Sequence, residues 1–198
     1  MIDCSQDILL ENDRARLEPL TMQHFEPLLR ICLQYPDLLR YSPSAFGTEK
    51  DLRAYFDGHL SNRQKGIQYP FAIFDKKESL YAGTTSYLNI SPHDKRLEIG
   101  HTWLAPKFQR TGLNRNCKFL LLHFAFEKLN FARVELKTDA RNTQSRNAMT
   151  ALGCKEEGTL RSHTVMSDGH RRDTVYYSIL KDEWPSIKNE IFKEFTLA

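Results

Sequence analysis

The chain has 198 residues, of which 40% are hydrophobic, 27% charged and 11% aromatic, a composition typical of a globular protein with a sizeable core. Its 28 basic and 25 acidic side chains leave a net charge of +3, which argues against a dedicated nucleic-acid-binding protein. The longest apolar run is too short to span a bilayer and no charged-then-apolar leader opens the chain, so we expect a cytoplasmic protein that does not bind membranes.

The cysteines are scattered along the chain at Cys4, Cys32, Cys117 and Cys154 and form no C-x-x-C pair. Because the Cys and His spacing of a metal site is also missing, the sequence predicts reduced thiols and no bound metal. Cys117 falls in the first turns of a predicted helix, where a thiol can be activated. A small core residue is the favoured interpretation of this position.

Residues 8–20 predict an opening strand or hairpin that Pro19 ends, and two amphipathic helices follow it. Thr21 and Thr48 stand before the two helical patterns, where a side-chain oxygen can cap the first turn. The Pro-, Ser- and Gly-containing stretch 41–47 between them predicts a loop. The apolar residues expected to face the core are Phe25, Leu28, Leu29 and Cys32 in the first helix and Leu52, Tyr55, Phe56 and Leu60 in the second.

Three strands are predicted next, over residues 69–74, 79–90 and 97–104. A charged turn at 75–78 separates the first two strands, and Gly83 indicates a bulge or a close approach of two backbones. Pro106 ends the third strand because proline cannot donate to a sheet ladder.

A loop and a long helix follow, and Gly112 opens the helix. The apolar residues at helical spacing on its inward face are Leu113, Cys117, Leu120, Leu121 and Phe124. A helix start carries unpaired N–H groups and partial positive charge, and the loop adds Lys107, Arg110 and Arg115. This combination suits a pyrophosphate, although an ordinary strand–loop–helix connection with a basic rim has the same pattern. The chain has neither the spacing of a P-loop nor a Gly-x-Gly-x-x-Gly motif.

A further strand is predicted at 133–137, where apolar and polar residues alternate. Asn142 is expected to cap the next helix and Gly153 to end it. Two strands, 154–165 and 171–180, then flank Asp168-Gly169, a strong hairpin signal.

The last predicted element is a helix that Asp182 caps, with Pro185 in its first turn. The residues expected on its inward face are Trp184, Ile187, Ile191 and Phe195. Hairpins beside strand–helix–strand units predict an α/β fold with a mixed sheet flanked by helices.

Gln109-x-x-Gly112-x-Asn114 resembles the Gln/Arg-x-x-Gly-x-Gly/Ala signature of the GNAT superfamily of N-acetyltransferases. The stretches that resemble its ribosomal-protein (RimJ/RimL-like) branch are 97–104, 109–114, 142–153 and 169–178. The resemblance extends over essentially the whole chain and implies a single N-acetyltransferase domain at 1–198. The implied GNAT fold has a central, mostly antiparallel sheet that splays between the fourth and fifth strands and is flanked by helices.

The resemblance also implies acetyl-CoA as cosubstrate and no metal. In the family, the pantetheine arm pairs with freed backbone groups of the splayed strand, which here are those of Trp103 and Leu104. The residues that correspond to the pyrophosphate site are Gln109, Arg110, Thr111, Gly112, Leu113 and Asn114. Asn142 and Ser145 correspond to residues beside the pantetheine, although Asn142 as a helix cap alone is an equal interpretation. Asn114 departs from the family pattern, in which Gly or Ala is usual at this position.

Acetyl transfer to an amine needs a proton acceptor for the amine and a proton donor for the leaving thiolate. Glu98 is the candidate base, acting directly or through a water, with a solvated or salt-bridged strand residue as the alternative interpretation. Ser145 is the candidate acid. The other candidates are His101, Tyr176 and Tyr177. Arg172-Asp173 is interpreted as a hairpin salt bridge rather than a catalytic pair.

The resemblance therefore implies an acetyl-CoA-dependent N-acetyltransferase in which a primary amine attacks the thioester directly. The acceptor is a protein N-terminus or a small amine, with no nucleic-acid or membrane partner, and dimers among relatives admit a homodimer. The alternatives are a non-catalytic CoA-binding sensor or scaffold, to which Asn114 points, and a generic anion-binding α/β domain.

Overall fold

The structure is a computed structural model that describes residues 2–195. Met1 and residues 196–198 of the predicted domain lie outside the described residues. The strands are β1 (Leu10–Glu11), β2 (Ala15–Pro19), β3 (Gln68–Asp75), β4 (Leu80–Ser91), β5 (Arg96–Leu104), β6 (Arg133–Asp139), β7 (Lys155–Val165) and β8 (Arg171–Leu180). The helices are α1 (Phe25–Gln34), α2 (Glu49–Gln64), α3 (Leu113–His123), α4 (Thr143–Ala151) and α5 (Trp184–Ile191). The predicted order of elements is confirmed, with the opening segment folded as a hairpin.

The strands form one eight-stranded sheet in the order β1-β2-β3-β4-β5-β6-β8-β7. Every neighbouring pair is antiparallel except β5 and β6, which run parallel and are joined through the crossover helix α3. The prediction of a mixed, mostly antiparallel sheet flanked by helices is therefore confirmed.

The sheet opens between β5 and β6, which share the three residue pairs from Arg96–Arg133 to Glu98–Glu135 and then diverge. The remainder of β5 pairs with β4 alone, and a register shift opposite Thr85 places His101 in a left-handed conformation with φ of 48°. These two strands are the predicted fourth and fifth ones once the opening hairpin is counted as one strand, so the predicted splay is confirmed.

Gly83 brings β4 and β5 into close contact. A Cβ atom at this position would lie 1.9 Å from the carbonyl oxygen of Trp103, so no larger residue fits without separating the strands. The predicted close approach of two backbones is confirmed.

The predicted helix cap is present at α2 and absent at α5. At α2, Thr48 and Asp51 form a reciprocal capping box in which each backbone N–H donates to the other side chain at 3.1 Å. At α5, the predicted cap Asp182 is wrong. Asp182 lies in the turn before the helix, and the cap position is Glu183, whose Oε2 accepts from the Leu180 N–H at 2.9 Å.

The second half of α3 is buried on all sides, as its apolar sequence predicts, with Phe119 to Leu122 no more than 2% exposed. The helix continues into a π-helical turn, Phe124–Lys128, in which the Leu129 N–H donates to the Phe124 carbonyl. Tyr87 from β4 donates its hydroxyl to the Leu121 carbonyl at 2.6 Å and so anchors the last turn of α3, just before this widened turn, to the sheet. In residues 2–195, no helix combines the length and apolarity needed to cross a bilayer.

Candidate active site

A cavity of about 1080 Å³ lies where β5 and β6 diverge. The predicted site residues that line it are Glu98, Trp103, Leu104, Gln109, Arg110, Gly112, Asn114, Asn142 and Ser145. The predicted residues outside its lining are Thr111 and Leu113. The side chain of Leu113 is fully buried in the core, so only its main chain is available to a ligand.

The loop into α3 contains consecutive backbone amides that lack protein acceptors. Arg110 and Gly112 are both left-handed, with φ of 60° and 87°. Within the described part of the chain, the amides of residues 110–112, 114 and 115 donate to no protein acceptor, and the Leu113 amide has only a 3.5 Å contact with the Thr111 hydroxyl. Clustered free amides at a helix start attract an anion. The residues present therefore fit a pyrophosphate.

Two polar side chains in the predicted phosphate loop hold the loop itself. Gln109 donates to the Leu104 carbonyl at 2.9 Å and accepts from Gln144 at 3.0 Å, so it ties the end of β5 to α4. Thr111 donates its hydroxyl to the Phe108 carbonyl at 2.8 Å. Their contribution to a bound phosphate would come through the main chain.

The predicted basic residues of this loop, Lys107, Arg110 and Arg115, are only partly available to a ligand. Arg115 pairs with Glu194 at 2.8 Å, so its charge is directed at the segment after α5. Arg110 is exposed and has no ion pair among residues 2–195. Lys107 packs its ammonium over the Phe108 ring at 4.7 Å from the centroid. Arg110 and Lys107 are therefore the cations left to attract phosphates from this loop.

Two asparagines lie at the helix starts beside the cavity. Asn142 accepts from the Ser145 N–H at 3.0 Å, which confirms its role as the cap of α4. The Oδ1 atom of Asn114 is buried and has no hydrogen-bond partner among the described residues. An unpaired acceptor here suits a donor on a bound molecule, such as an amide or a hydroxyl.

Glu98 is buried and ion-paired at the mouth of the splay. Its Oε2 atom lies 2.8 Å from Lys137 Nζ and accepts from Asn89 Nδ2 at 2.7 Å. Its Oε1 atom has no hydrogen-bond partner in residues 2–195, and the residue lines the cavity. The salt-bridge interpretation of Glu98 thus describes one oxygen, while the other remains available for a proton or a water.

Among the other proton-transfer candidates, His101 lines the cavity with an exposed side chain, and desolvation by the surrounding protein still lowers the pKa of its imidazole from the ordinary value. Its ring lies 4.8 Å from that of His59, whose pKa burial lowers to about 3, so the His59 imidazole is neutral at pH 7. Tyr177 donates to Glu156 at 2.7 Å and lies outside the cavity lining, as does Tyr176. Ser145 is the hydroxyl candidate that lines the cavity.

Lys118 on α3 is a cavity residue that the sequence did not single out. It is 5% exposed, its ammonium donates to the Thr102 hydroxyl at 2.7 Å, and burial lowers its pKa to about 8. Its only sequence signal is a cationic residue in a helix segment that is otherwise apolar nearly all round. The neighbouring Cys117 is fully buried, and burial raises the pKa of its thiol to about 12, so the favoured interpretation as a core residue is confirmed.

The predicted Arg172–Asp173 salt bridge is wrong, because adjacent residues on a strand point to opposite faces. The guanidinium of Arg172 donates to the Thr174 hydroxyl at 2.9 Å and lines the cavity. Asp173 instead accepts from the Ser162 N–H at 2.7 Å. Within residues 2–195, no three His, Cys, Asp or Glu side chains are grouped closely enough to hold a metal ion.

Comparisons with known proteins place this geometry in a family. The sequence profile of the acetyltransferase (GNAT) domain matches residues 14–155. The Bacillus subtilis (strain 168) protein described as "Putative ribosomal N-acetyltransferase YdaF" is 34% identical over 136 residues, which are 69% of this chain and 68% of that one. An N-acetyltransferase described as "Uncharacterized N-acetyltransferase p20" from Bacillus licheniformis is 29% identical over 58% of this chain and 63% of its own.

Solved structures agree with the sequence match. A GCN5-related N-acetyltransferase from Brucella melitensis superposes with a TM-score of 0.87 at 26% identity, over 95% of this chain and 85% of that one. Mycobacterium smegmatis RimJ, solved in complex with CoA-disulfide, has the same fold with a TM-score of 0.76 at 21% identity, over 90% of this chain and 88% of that one. Because the GNAT profile spans well over half of the chain, this protein belongs to the GNAT acetyltransferase family and is an acyltransferase.

Proposed function

We propose that this protein transfers an acetyl group from acetyl-CoA to a primary amine, on a protein N-terminus or a small molecule, by direct attack of the amine on the thioester. The chain would act as one domain over 1–198, in the cytoplasm, where its free thiols stay reduced. The observation that carries the proposal is that the free amides at the start of α3 face the same cavity as the splayed strands and Glu98.

The cosubstrate would lie along the open edge of β5. The main chain at Trp103 and Leu104 has no β6 partner, so it can pair with the amides of a pantetheine arm as an added strand would. The amides of residues 110–115 would bind the pyrophosphate, which the α3 dipole and Arg110 also favour. Asn142 and Ser145 would then flank the thioester end.

Proton transfer would use one carboxylate and one hydroxyl. The amine nitrogen bonds to the acetyl carbon, the carbon–sulfur bond breaks, and one proton passes from nitrogen to Oε1 of Glu98, directly or through a water. Lys137 and Asn89 hold the other carboxylate oxygen, so they orient Glu98 for this role. Ser145 would donate a proton to the leaving thiolate and regain one from solvent, and Glu98 would release to solvent the proton that it accepted.

Thiol release from acetyl-CoA, measured with a mixed panel of small amines and peptides, tests the proposal. We expect release that depends on the added amine and exceeds hydrolysis in its absence, together with acetylated product detected by mass spectrometry. Binding of acetyl-CoA in calorimetry without thiol release for any amine would instead indicate a CoA sensor or scaffold. Equal binding of CoA and inorganic pyrophosphate would indicate a generic anion-binding domain.

A further inference from the structure

Arg172 presents an unused hydrogen-bonding edge to the active-site cavity. Its Nε atom donates to the Thr174 hydroxyl at 2.9 Å and its Nη1 atom to the Tyr41 carbonyl at 3.3 Å. The Nη2 atom makes no hydrogen bond within residues 2–195, although the residue is half-buried and lines the cavity. Thr174 and Tyr41 therefore fix the guanidinium plane and leave one edge available to a ligand.

The carboxylates near Arg172 are already paired with other cations. Glu98 pairs with Lys137 at 2.8 Å, and Asp139 pairs with Arg141 at 2.8 Å. Both carboxylates act on Arg172 only over a longer distance, and burial lowers the pKa of the guanidinium because it removes solvating water. Arg172 is thus a half-buried cation that has no carboxylate of its own in the described structure.

Further positive charge surrounds the same part of the cavity. Arg40 lies over the Tyr41 ring at 5.0 Å and Arg141 lies over the same ring at 5.9 Å. Asp168 of the β7–β8 turn acts electrostatically on Arg141, and Arg172 acts in the same way on His101, which also lines the cavity. Within residues 2–195, Arg141 is paired with Asp139, so Arg40 and Arg172 are the arginines beside Tyr41 that lack a carboxylate partner, and their charge favours an anionic group.

Arg172 also comes from elements that the proposed acetyl-CoA site does not use. The residues proposed to hold acetyl-CoA lie on β5, the following loop, α3 and α4. Arg172 lies on β8 and contacts the segment between α1 and α2, which lines the cavity through Leu38, Leu39 and Tyr41. This part of the cavity remains for the acceptor once acetyl-CoA occupies the rest.

We propose that Arg172 binds a carboxylate on the acceptor, so that the preferred substrates are primary amines that carry a carboxylate near the amino group. The proposal rests on the proposed acetyltransferase function. A guanidinium with a fixed plane and a free edge is suited to a charge-assisted hydrogen bond with a carboxylate, and its desolvated surroundings strengthen that bond. The carboxylate belongs to a free amino acid or to an acidic side chain near a peptide N-terminus, and the test separates these sources.

The test compares acceptors that differ only in carboxylate against amide. One pair is an α-amino acid and its amide, and the other is a peptide with Asp or Asn at its second position. For at least one pair, we expect wild-type protein to favour the carboxylate in kcat/KM by about tenfold or more. If the acceptor is a free amino acid, only the amino-acid pair should show the preference for the carboxylate. If it is a protein N-terminus, only the peptide pair should show it.

Variants then assign the preference to Arg172. Arg172→Gln should raise KM for the carboxylate member, lower kcat/KM for that member about tenfold more than for the amide member, and so abolish the preference. Arg40→Gln, which removes one charge from an exposed position beside the Tyr41 ring, should keep the preference. Melting temperature and acetyl-CoA affinity serve as folding controls for both variants.

The outcomes separate the two proposals. Acetylation of amines without a carboxylate preference, or a preference that survives in Arg172→Gln, would overturn the role of Arg172 alone. A preference lost equally in Arg40→Gln would show that net charge, and not Arg172, selects the acceptor. Retained acetyl-CoA binding with no acetylation of any amine would overturn the proposed function itself.

Discussion

Glu98 and Lys137 form an ion pair across the point where β5 and β6 diverge, with 2.8 Å between Oε2 and Nζ. Only one carboxylate oxygen takes part, and Asn89 donates to that same oxygen at 2.7 Å. The pair therefore links the two strands just beyond their last parallel rung and leaves Oε1 free at the cavity. A residue that stabilises the sheet can in this way also be available to a substrate.

Glu98→Gln should lower kcat at neutral pH by about 10²-fold, the size of effect expected when a general base is removed, and leave acetyl-CoA affinity largely intact. Steady-state kinetics and calorimetry measure the two quantities. The matched control is Glu135→Gln, since Glu135 pairs directly with Glu98 in register but does not line the cavity. Wild-type turnover of Glu98→Gln across the pH range would remove Glu98 from the mechanism.

Gly112→Asp should weaken acetyl-CoA binding because it places a carboxylate among the amides proposed to bind the pyrophosphate. The control is Gly112→Asn, since Asn tolerates the left-handed φ of 87° and differs from Asp only in charge. Calorimetry at low salt should show binding to the Asp variant weaker than to the Asn variant by about tenfold, with the gap narrowing as salt rises. Equal affinities for the two variants would contradict the placement of the pyrophosphate.

Gly83→Ala should destabilise the fold by about 3 kcal/mol or more, because its Cβ would lie 1.9 Å from the Trp103 carbonyl oxygen. Gly58→Ala is the control, since Gly58 lies inside α2 with no atom within 4 Å of the added Cβ. That change should stabilise the protein by about 0.5–1 kcal/mol. Denaturant unfolding measures both, and a mild effect at Gly83 would show that β4 and β5 can separate cheaply.

Burial of the Lys118 ammonium lowers the lysine pKa from 10.5 to about 8, so the charged side chain destabilises the folded protein at pH 7. Lys118→Met removes this charge and should therefore raise stability at that pH. The unfolded chain then binds more protons than the folded one between these values, so wild-type stability rises with pH from about 8 to 10.5. The variant should lose this rise and gain at most about 3 kcal/mol below pH 8. Denaturant unfolding across this range checks the difference, with the exposed Lys50→Met as control. Parallel curves for wild type and Lys118→Met would contradict the argument.

Local signals in the sequence predicted most of the fold. The Asp168-Gly169 turn, the Thr48 cap and the Gly153 helix end each depend on residues within a few positions of one another, and each has the expected geometry, with Gly153 at φ of 81°. Asp182 failed as a cap because the helix begins one residue later than predicted, and the Glu183 carboxylate at the cap position accepts from the Leu180 N–H rather than from a helix amide. Sequence spacing alone does not separate two adjacent acidic residues.

The cavity was predictable only where one loop and one strand form it. Lys118 looks like a solvated helix residue until the packing of α3 against the sheet encloses it. The contact of Arg172 with Tyr41 spans 131 residues, so no local pattern could show it. The part of the cavity that we propose receives the acceptor is formed by residues from distant segments. Predicting it therefore required the structure.

The single parallel contact in the described sheet, three residue pairs between β5 and β6, has a consequence for hydrogen–deuterium exchange. Amides of β5 that point toward β4 lie in a ladder and should take up deuterium slowly, whereas those after Glu98 that point toward β6 lack a strand partner and should exchange quickly. If a molecule binds between β5 and β6, deuterium uptake should slow only at the β5 amides that point toward β6. The experiment would detect that molecule without labelling it.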